Sequence, residues 1–277
     1  MITFMLIFVT FTQIKSTPAT DKVGIEIVTK KEETYDLLTK QKPLSFEIEG
    51  PTYLRVYTRI PWPSGADGHE MYKVILQENG VEERMISLES EVSKVTKDKL
   101  GRPLSKWRSF YIEVPEGKNS YKIIHWSSPK DTILVKLNYE SPKKWQDVPA
   151  TEYKTVVEAI EEEKLVKYYE LRKDGSLTLG ISGPVRLQVL TRLNYDEKMI
   201  GEQNYTVIAE DKGKEIKKAP LKCYKSEIVQ YKNRKEIMPS NARSFFINLP
   251  EGWHDLKLRL SGTIAQSMAV RFLIEEK

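Results

Sequence analysis

The side chains that could do chemistry in this chain are few and widely spaced. The histidines are His69, His125 and His254, and none has a second histidine at the spacing of a zinc-binding helix. Cys223 is the single cysteine, and neither a nucleophile elbow nor a phosphate-binding glycine loop is present. We therefore expect a non-catalytic protein that uses no metal and no cofactor.

Two arginines recur at equivalent places and could bind an anion. Arg59 and Arg192 each end the same strand phrase, and a guanidinium group makes bidentate contacts to carboxylates. A repeated anionic-ligand site is one interpretation. The alternative, which we favour, is a structural clamp between each arginine and a carboxylate or carbonyl oxygen.

Aromatic residues in loops are candidates for stacking on sugar rings. Trp62 lies in a Pro-Trp-Pro loop, and Tyr195 lies at the corresponding position of a second, similar segment. With Arg59 and Arg192 they form the predicted ligand-binding set, although many such aromatics only close the ends of a sandwich. The other tryptophans predicted at strand ends are Trp107, Trp126 and Trp253.

The whole chain has a net charge of +5, and its positive charge is concentrated in one segment. Residues 212–235 carry nine basic and two acidic residues, whereas residues 79–102 carry five of each. The segment could hold an anionic surface or glycan, and the alternative is a solvated strand with its loops. This basic patch consists of Lys212, Lys214, Lys217, Lys218, Lys222, Lys225, Lys232, Arg234 and Lys235.

All these residues belong to one module that occurs twice. Ile48–Ile60 returns as Ile181–Leu193, and Arg108–Gly117 returns as Arg243–Gly252. The separation between the copies is the length of a whole domain rather than that of a solenoid repeat. We therefore expect two domains with the same strand order.

Strand patterns dominate both copies. Leu187 and Val189 alternate with Arg186 and Gln188, which is typical of a strand with one face on a core. Pro-Glu-Gly, present in both copies, predicts a tight turn between two strands. About eight or nine strands per copy predict an all-β protein of tandem antiparallel β-sandwich, jelly-roll-like domains. The aromatic strand with its Pro-Glu-Gly resembles ligand-binding jelly-roll modules of bacterial surface proteins, and this resemblance implies the same fold.

One segment departs from the strand pattern. Thr151–Leu165 places Tyr153, Val156, Val157 and Ile160 at helical spacing and contains neither glycine nor proline. We predict an amphipathic linker helix there. The predicted division of the chain is a β-sandwich over residues 20–142, a linker with this helix over 143–166, and a second β-sandwich over 167–277.

The N-terminus has the pattern of a signal peptide. Met1–Phe11 is apolar and too short to span a bilayer, and small and polar residues follow it. No basic residue precedes the apolar run, and the alternative is a buried first strand. We predict a signal peptide over residues 1–19 and a periplasmic or extracellular location. A single cysteine, which rules out an internal disulfide, is typical of an exported bacterial protein with a hydrophobic core.

Three functions are compatible with these patterns. The first is a non-catalytic exported protein of the bacterial cell envelope that binds a protein partner or a glycan, with no nucleic acid and no membrane span in the mature chain. The second is a dedicated carbohydrate-binding protein that uses loop aromatics, and the third is a hydrolase with a site between the domains. Exposed aromatics clustered on one face would favour the second, and a flat apolar surface would favour a protein partner.

Overall fold

A computed structural model of the chain describes residues 15–16, 21–27, 31–66, 68–161 and 164–276. Within these ranges the protein is all-β, as predicted, with nineteen strands and no helix. The described residues form two compact units, one built mainly from residues up to Pro142 and one mainly from Lys143 onward. They contain no apolar helix of membrane-spanning length.

The first unit is a set of antiparallel strands joined in a ring. Its strands are β1 (Lys15–Ser16), β2 (Lys22–Ile27), β3 (Lys31–Thr39), β4 (Leu44–Arg59), β5 (His69–Glu78), β6 (Glu82–Asp98), β7 (Pro103–Ser105), β8 (Arg108–Ser127) and β9 (Thr132–Tyr139). The order β4-β8-β5-β6-β2-β3-β9 closes on itself, because β9 also pairs with β4.

The second unit repeats this topology. Its strands are β10 (Trp145–Val148), β11 (Val156–Glu161), β12 (Lys164–Arg172), β13 (Leu177–Tyr195), β14 (Gln203–Asp211), β15 (Lys214–Cys223), β16 (Gln230–Tyr231), β17 (Met238–Pro239), β18 (Arg243–Ser261) and β19 (Ser267–Glu275). Their order is β15-β14-β18-β13-β19-β12-β11-β16. The pairs β13–β18 and β11–β12 correspond to β4–β8 and β2–β3, so the sequence repeat correctly predicted a shared strand order.

A glycine bulge interrupts the longest strand pair of each unit. Gly50 lies opposite Gly117 but Thr52 lies opposite Val114, so β8 carries one extra residue at this point. The second unit has the same offset after Gly183. The predicted tight turn at Pro-Glu-Gly is therefore wrong: β8 and β18 run through it without reversing.

Close backbone contact explains why glycine occupies both bulges. A side-chain carbon at Gly50 would lie 2.1 Å from the carbonyl oxygen of Pro115. At Gly183 it would lie 1.7 Å from that of Pro250. Both distances are far below van der Waals contact, so only glycine fits.

Each unit has a hydrophobic core shared by the segments on both sides of its bulge. In the first unit, Phe46 and Ile48 before the bulge belong to the same buried cluster as Leu54 and Val56 after it. The second unit has an equivalent cluster that includes Leu179 and Leu187. Strand segments that share one core in this way form a β-sandwich.

The predicted linker helix over Thr151–Leu165 is wrong. The structure has β11 there, paired with β12 and β16. Val157 and Ala159 are buried whereas Val156 and Ile160 are exposed, which is the alternating period of a strand. The same apolar residues also fit a helix, and pairing with neighbouring strands overrides that local pattern.

Residues before β11 also differ from a free linker. β10 pairs with β19, and residues from Lys143 onward belong to the second unit. The predicted signal peptide lies outside the described residues, apart from β1, which pairs with Phe46 and Glu47 of β4.

Candidate ligand-binding face

The first of the two predicted arginines is buried inside its own unit. Arg59 donates from Nη1 to the carbonyl oxygen of Ser105 at 2.6 Å. Its Nε lies 3.4 Å from the hydroxyl of Tyr35, which is also buried. The guanidinium thus ties β4 to β7 and β3.

Arg192 holds the equivalent position in the second unit and makes one more contact. Its Nη1 donates to the carbonyl oxygen of Ser240 at 2.7 Å, and its Nε lies 3.4 Å from the hydroxyl of Tyr168. The same Nε is 2.9 Å from Oε1 of Glu161. Both arginines therefore make the internal contacts of a structural clamp.

Trp62 and Tyr195, the predicted stacking residues, also lie in the interior. Trp62 is 7% exposed, and its indole nitrogen donates to the carbonyl oxygen of Ala66 at 3.0 Å. The single hydroxyl proton of the buried Tyr195 is shared between the carbonyl oxygens of Cys223, at 2.9 Å, and Gly201, at 3.1 Å. In this structure neither ring offers the open face that stacking on a sugar requires.

The basic patch divides into paired and unpaired residues. Ion pairs neutralise three members: Lys222 with Glu202 at 2.8 Å, Lys232 with Glu158 at 3.2 Å, and Arg234 with Glu170 at 2.8 Å. The remaining six are exposed and form no ion pair within the described part of the chain. These are Lys212, Lys214, Lys217, Lys218, Lys225 and Lys235.

A cluster of aromatic rings around an arginine covers the outward face of the first unit. On β4, Tyr53, Arg55 and Tyr57 alternate with buried residues and are only partly buried themselves. Tyr111 of β8 lies opposite Arg55, and Trp107, just before β8, is 46% exposed. We call Tyr53, Arg55, Tyr57, Trp107 and Tyr111 the aromatic face.

Arg55 organises the aromatic face. Its guanidinium carbon lies 4.8 Å from the ring centre of Tyr57, 5.2 Å from that of Trp107 and 5.3 Å from that of Tyr111. These distances are typical of cation–π contacts. The rings of Tyr57 and Trp107 also meet edge to face, with centres 5.4 Å apart. Contacts among its own side chains therefore hold the cluster together.

A carboxylate locks the arginine in place. Arg55 Nη1 and the hydroxyl of Tyr57 each donate to Glu140, both at 2.6 Å, and Arg55 Nε donates to Ser109 Oγ at 2.9 Å. The hydrogen bond from Tyr57 holds the pKa of Glu140 below its usual value. Burial, with the contact to Glu140, raises the pKa of Tyr57 to about 12. Arg55 is therefore already neutralised and does not offer a free positive charge.

An open cleft of about 470 Å³ lies beside the aromatic face. The hydroxyl of Tyr53 donates to Oε1 of Glu113 at its edge, at 2.9 Å. Its charged lining has three carboxylates and one arginine, so a neutral polar ligand suits it better than an anion. The lining residues are Tyr53, Glu78, Glu83, Arg84, Tyr111, Glu113 and Pro142.

The second unit does not repeat the aromatic face. At the equivalent positions of the repeat, Gln188 replaces Arg55, Leu190 replaces Tyr57 and Ala242 replaces Trp107. Phe246, in place of Tyr111, is covered by Arg186 at 4.1 Å and lies 6.4 Å from the ring of Trp145.

Two of the three histidines bond to neighbouring side chains within their own unit. His125 Nε2 bonds to Ser128 Oγ at 2.8 Å, and His254 is paired with Asp211. Among the residues that the structure describes, no group of three or more His, Cys, Asp or Glu side chains could hold a metal ion.

Sequence reasoning named Trp107 only as a strand-end residue and did not identify the other members of the aromatic face. A usable signal was present in Ile48–Ile60. Its outward positions hold Tyr53, Arg55 and Tyr57 where an ordinary solvated strand carries small or charged residues.

No protein-family profile and no curated protein sequence matches this chain. Solved structures with weak similarity include the triple jelly-roll protein of an archaeal virus turret, at 9% identity, TM-score 0.29 and 96% coverage of this chain. The plant receptor-like kinase FER gives 9% identity and a TM-score of 0.25, over 98% of this chain and 90% of that one. The CBM22-1–CBM22-2 tandem of Paenibacillus barcinonensis Xyn10C gives 8% identity and a TM-score of 0.24, over 96% and 92%. The chain spans 59% of the viral chain.

Proposed function

We propose that this chain is a non-catalytic exported protein of the bacterial cell envelope that binds a neutral glycan through the aromatic face of its first unit. The observation that carries this proposal is the partly exposed cluster of Tyr57, Trp107 and Tyr111 around Arg55. Exposed aromatics gathered on one face are the feature that favours a carbohydrate ligand over a flat protein contact.

The chemistry of the face matches a sugar. The C–H side of a pyranose ring can stack on exposed rings such as Trp107, because both surfaces are flat and apolar. Carboxylates such as Glu113 accept hydrogen bonds, which sugar hydroxyls donate. Glu140 already neutralises Arg55, so an anionic ligand gains little from the only arginine of the face.

Affinity electrophoresis of the full chain tests this function. Gels containing xylan, mannan or mixed-linkage β-glucan should retard the wild type. Trp107→Ala should be retarded less, corresponding to an affinity about tenfold lower. Trp126→Ala is the matched control, because Trp126 lies at the other end of β8 and is 53% exposed. Equal retardation of both variants and the wild type would exclude the aromatic face as the binding site.

Export is a separate part of the proposal. The mature protein is expected to begin near Asp21, after removal of residues 1–19. Sequencing of the N-terminus of the native protein from fractionated cells decides this. An intact Met1 on a cytosolic protein would contradict export and leave the glycan proposal to its own test.

A further inference from the structure

A tryptophan lies open on the outward face of the second unit. Trp253 of β18 is 61% exposed. It alternates with buried residues along the strand, and Asp255 and Lys257 continue the same outward row. An indole this exposed is unusual, because tryptophan gains more than most side chains from burial.

Gly180 makes room for the ring of Trp253. A side-chain carbon at position 180 would lie 2.6 Å from Cζ2 and 3.1 Å from Cη2 of the indole. The same position is bordered by Cγ2 of Thr151 at 3.6 Å. The six-membered ring therefore packs against β13 at Gly180, and more than half of the tryptophan remains exposed.

The first unit lacks this arrangement. At the equivalent positions of the repeat, Glu47 takes the place of Gly180 and Lys118 takes the place of Trp253. Both are exposed charged residues of an ordinary solvated strand pair. The glycine and the tryptophan thus occur together in the second unit, at positions where the shared fold requires neither.

Polar groups of mixed charge occupy neighbouring positions of β13 and β18. Asp255 lies opposite Gly180, and Thr178 lies opposite Lys257. The hydroxyl of Thr178 donates to Oε2 of Glu152 at 3.1 Å. The two carboxylates, the ammonium group and the hydroxyl supply both donors and acceptors, and their net charge of −1 does not favour an anionic ligand.

We propose that Trp253, seated on Gly180 and flanked by Asp255, Thr178 and Glu152, is a second site for a neutral pyranose ring. The sugar stacks on the open face of the indole, and its hydroxyls exchange hydrogen bonds with the flanking groups. Only the ligand class of this site, a neutral glycan, rests on the proposed function. Its unit, strands and residues are different from those of the aromatic face.

The test uses the full chain in gels that contain xylan, mannan or mixed-linkage β-glucan. Trp253→Ala removes the ring, whereas Gly180→Glu keeps the ring and places the first unit's residue beneath it. Both variants are compared with the wild type and are also made in the Trp107→Ala background. Far-ultraviolet circular dichroism and thermal midpoints check that each variant is folded.

We expect Trp107→Ala alone to retain part of the retardation, and each second substitution to reduce the remainder by about tenfold. Complete loss in Trp107→Ala alone would overturn the second site and leave the aromatic face intact. If Trp253→Ala loses retardation and Trp107→Ala loses none, the aromatic face is overturned and the second site stands. Full retardation of the Gly180→Glu variant would overturn the role of the glycine seat, and no retardation of the wild type would overturn both sites.

Discussion

The two units stabilise the same bulge with different side chains. In the first unit, Asn119 donates from Nδ2 to the carbonyl oxygens of Pro115, at 2.9 Å, and Gly117, at 3.0 Å. Asn79 donates in turn to Oδ1 of Asn119 at 3.2 Å. The bulge is therefore held by neutral amides.

In the second unit, His254 occupies the position of Asn119. Its Nε2 lies 3.0 Å from the carbonyl oxygen of Pro250, and its Nδ1 lies 2.7 Å from Oδ2 of Asp211. Both ring nitrogens face oxygen acceptors, so the charged imidazolium, which donates from both, is favoured.

The difference separates what the fold requires from what it leaves free. Glycine at the bulge and a buried Thr–Tyr hydrogen bond occur in both units, the latter at 2.7 Å for Thr58–Tyr72 and 2.8 Å for Thr191–Tyr205. The group that holds the bulge carbonyl and the outward residues of β4 and β13 have diverged. Function is therefore expected in the diverged positions.

The largest expected effect is at the two bulge glycines. Gly50→Ala and Gly183→Ala should each cost more than about 4 kcal/mol of unfolding free energy, because the added carbon collides with backbone. Gly80→Ala and Gly213→Ala are the controls: each has a positive φ but open space around it, and each should cost about 1 kcal/mol. Urea denaturation of the full chain measures all four. Bulge variants as stable as the controls would break the claim of a shared backbone requirement.

The next largest effect is expected at the two clamp arginines, Arg59 and Arg192, whose replacement should cost different amounts of unfolding free energy. Arg192→Ala removes the ion-pair partner of the partly buried carboxylate of Glu161, which keeps only its hydrogen bond from Tyr168, and is expected to cost about 3–5 kcal/mol. Arg59→Ala leaves only neutral partners and should cost about 1–3 kcal/mol. Equal losses in denaturation experiments would show that Glu161 does not distinguish the two clamps.

A smaller effect should depend on pH and come from the second unit. The hydrogen bond to Asp211 raises the pKa of His254 above its usual value of 6.5, and nearby Lys212 opposes this. Because the pKa of His254 is higher in the folded than in the unfolded state, its charged form stabilises the folded protein fully below pH 6.5. This stabilisation is lost as pH rises through the folded-state pKa. His254→Asn, which installs the first unit's residue, should flatten the fall in thermal midpoint across that range. A wild-type midpoint that rises or stays level there would contradict the charged pair.

The smallest expected effect concerns the basic patch. Changing unpaired Lys214, Lys217 and Lys218 to Gln should weaken retention on heparin, and retention should fall as salt shortens the Debye length from about 10 Å at 0.1 M. Changing the paired Lys222, Lys232 and Arg234 to Gln removes the same charge from ion pairs and should weaken it less. Equal elution of both triple variants would mean that net charge alone determines retention.

The sequence repeat extends further towards the N-terminus than the two matched segments, and the extension predicts more of the fold. Tyr35 and Tyr168, and likewise Leu38 and Leu171, are also paired by the repeat and lie at equivalent places in β3 and β12. Extending the repeat to them predicts a strand hairpin before β13 in place of the helix. Local spacing alone could not decide, because Val156, Val157 and Ile160 fit both periods.

The bulge and the candidate site were harder to predict. Pro-Glu-Gly has the composition of a turn, and only the facing Gly-Pro of the partner strand makes it a bulge. Trp62 is in an exposed-looking Pro-Trp-Pro loop, but its ring turns inward because its indole nitrogen bonds to Ala66 within the same loop. The aromatic face depends on which strands are neighbours, since Arg55 and Tyr111 are far apart in sequence.

Covalent footprinting of the full chain, read by mass spectrometry, tests most directly whether the diverged aromatic face of the first unit holds the glycan. Labelling is compared with and without whichever of xylan, mannan or mixed-linkage β-glucan retards the protein. The account predicts strong shielding of Trp107 and Tyr111, with Trp126 and Trp145 unchanged. Trp107 that remains as reactive as Trp126 in saturating polysaccharide would contradict it.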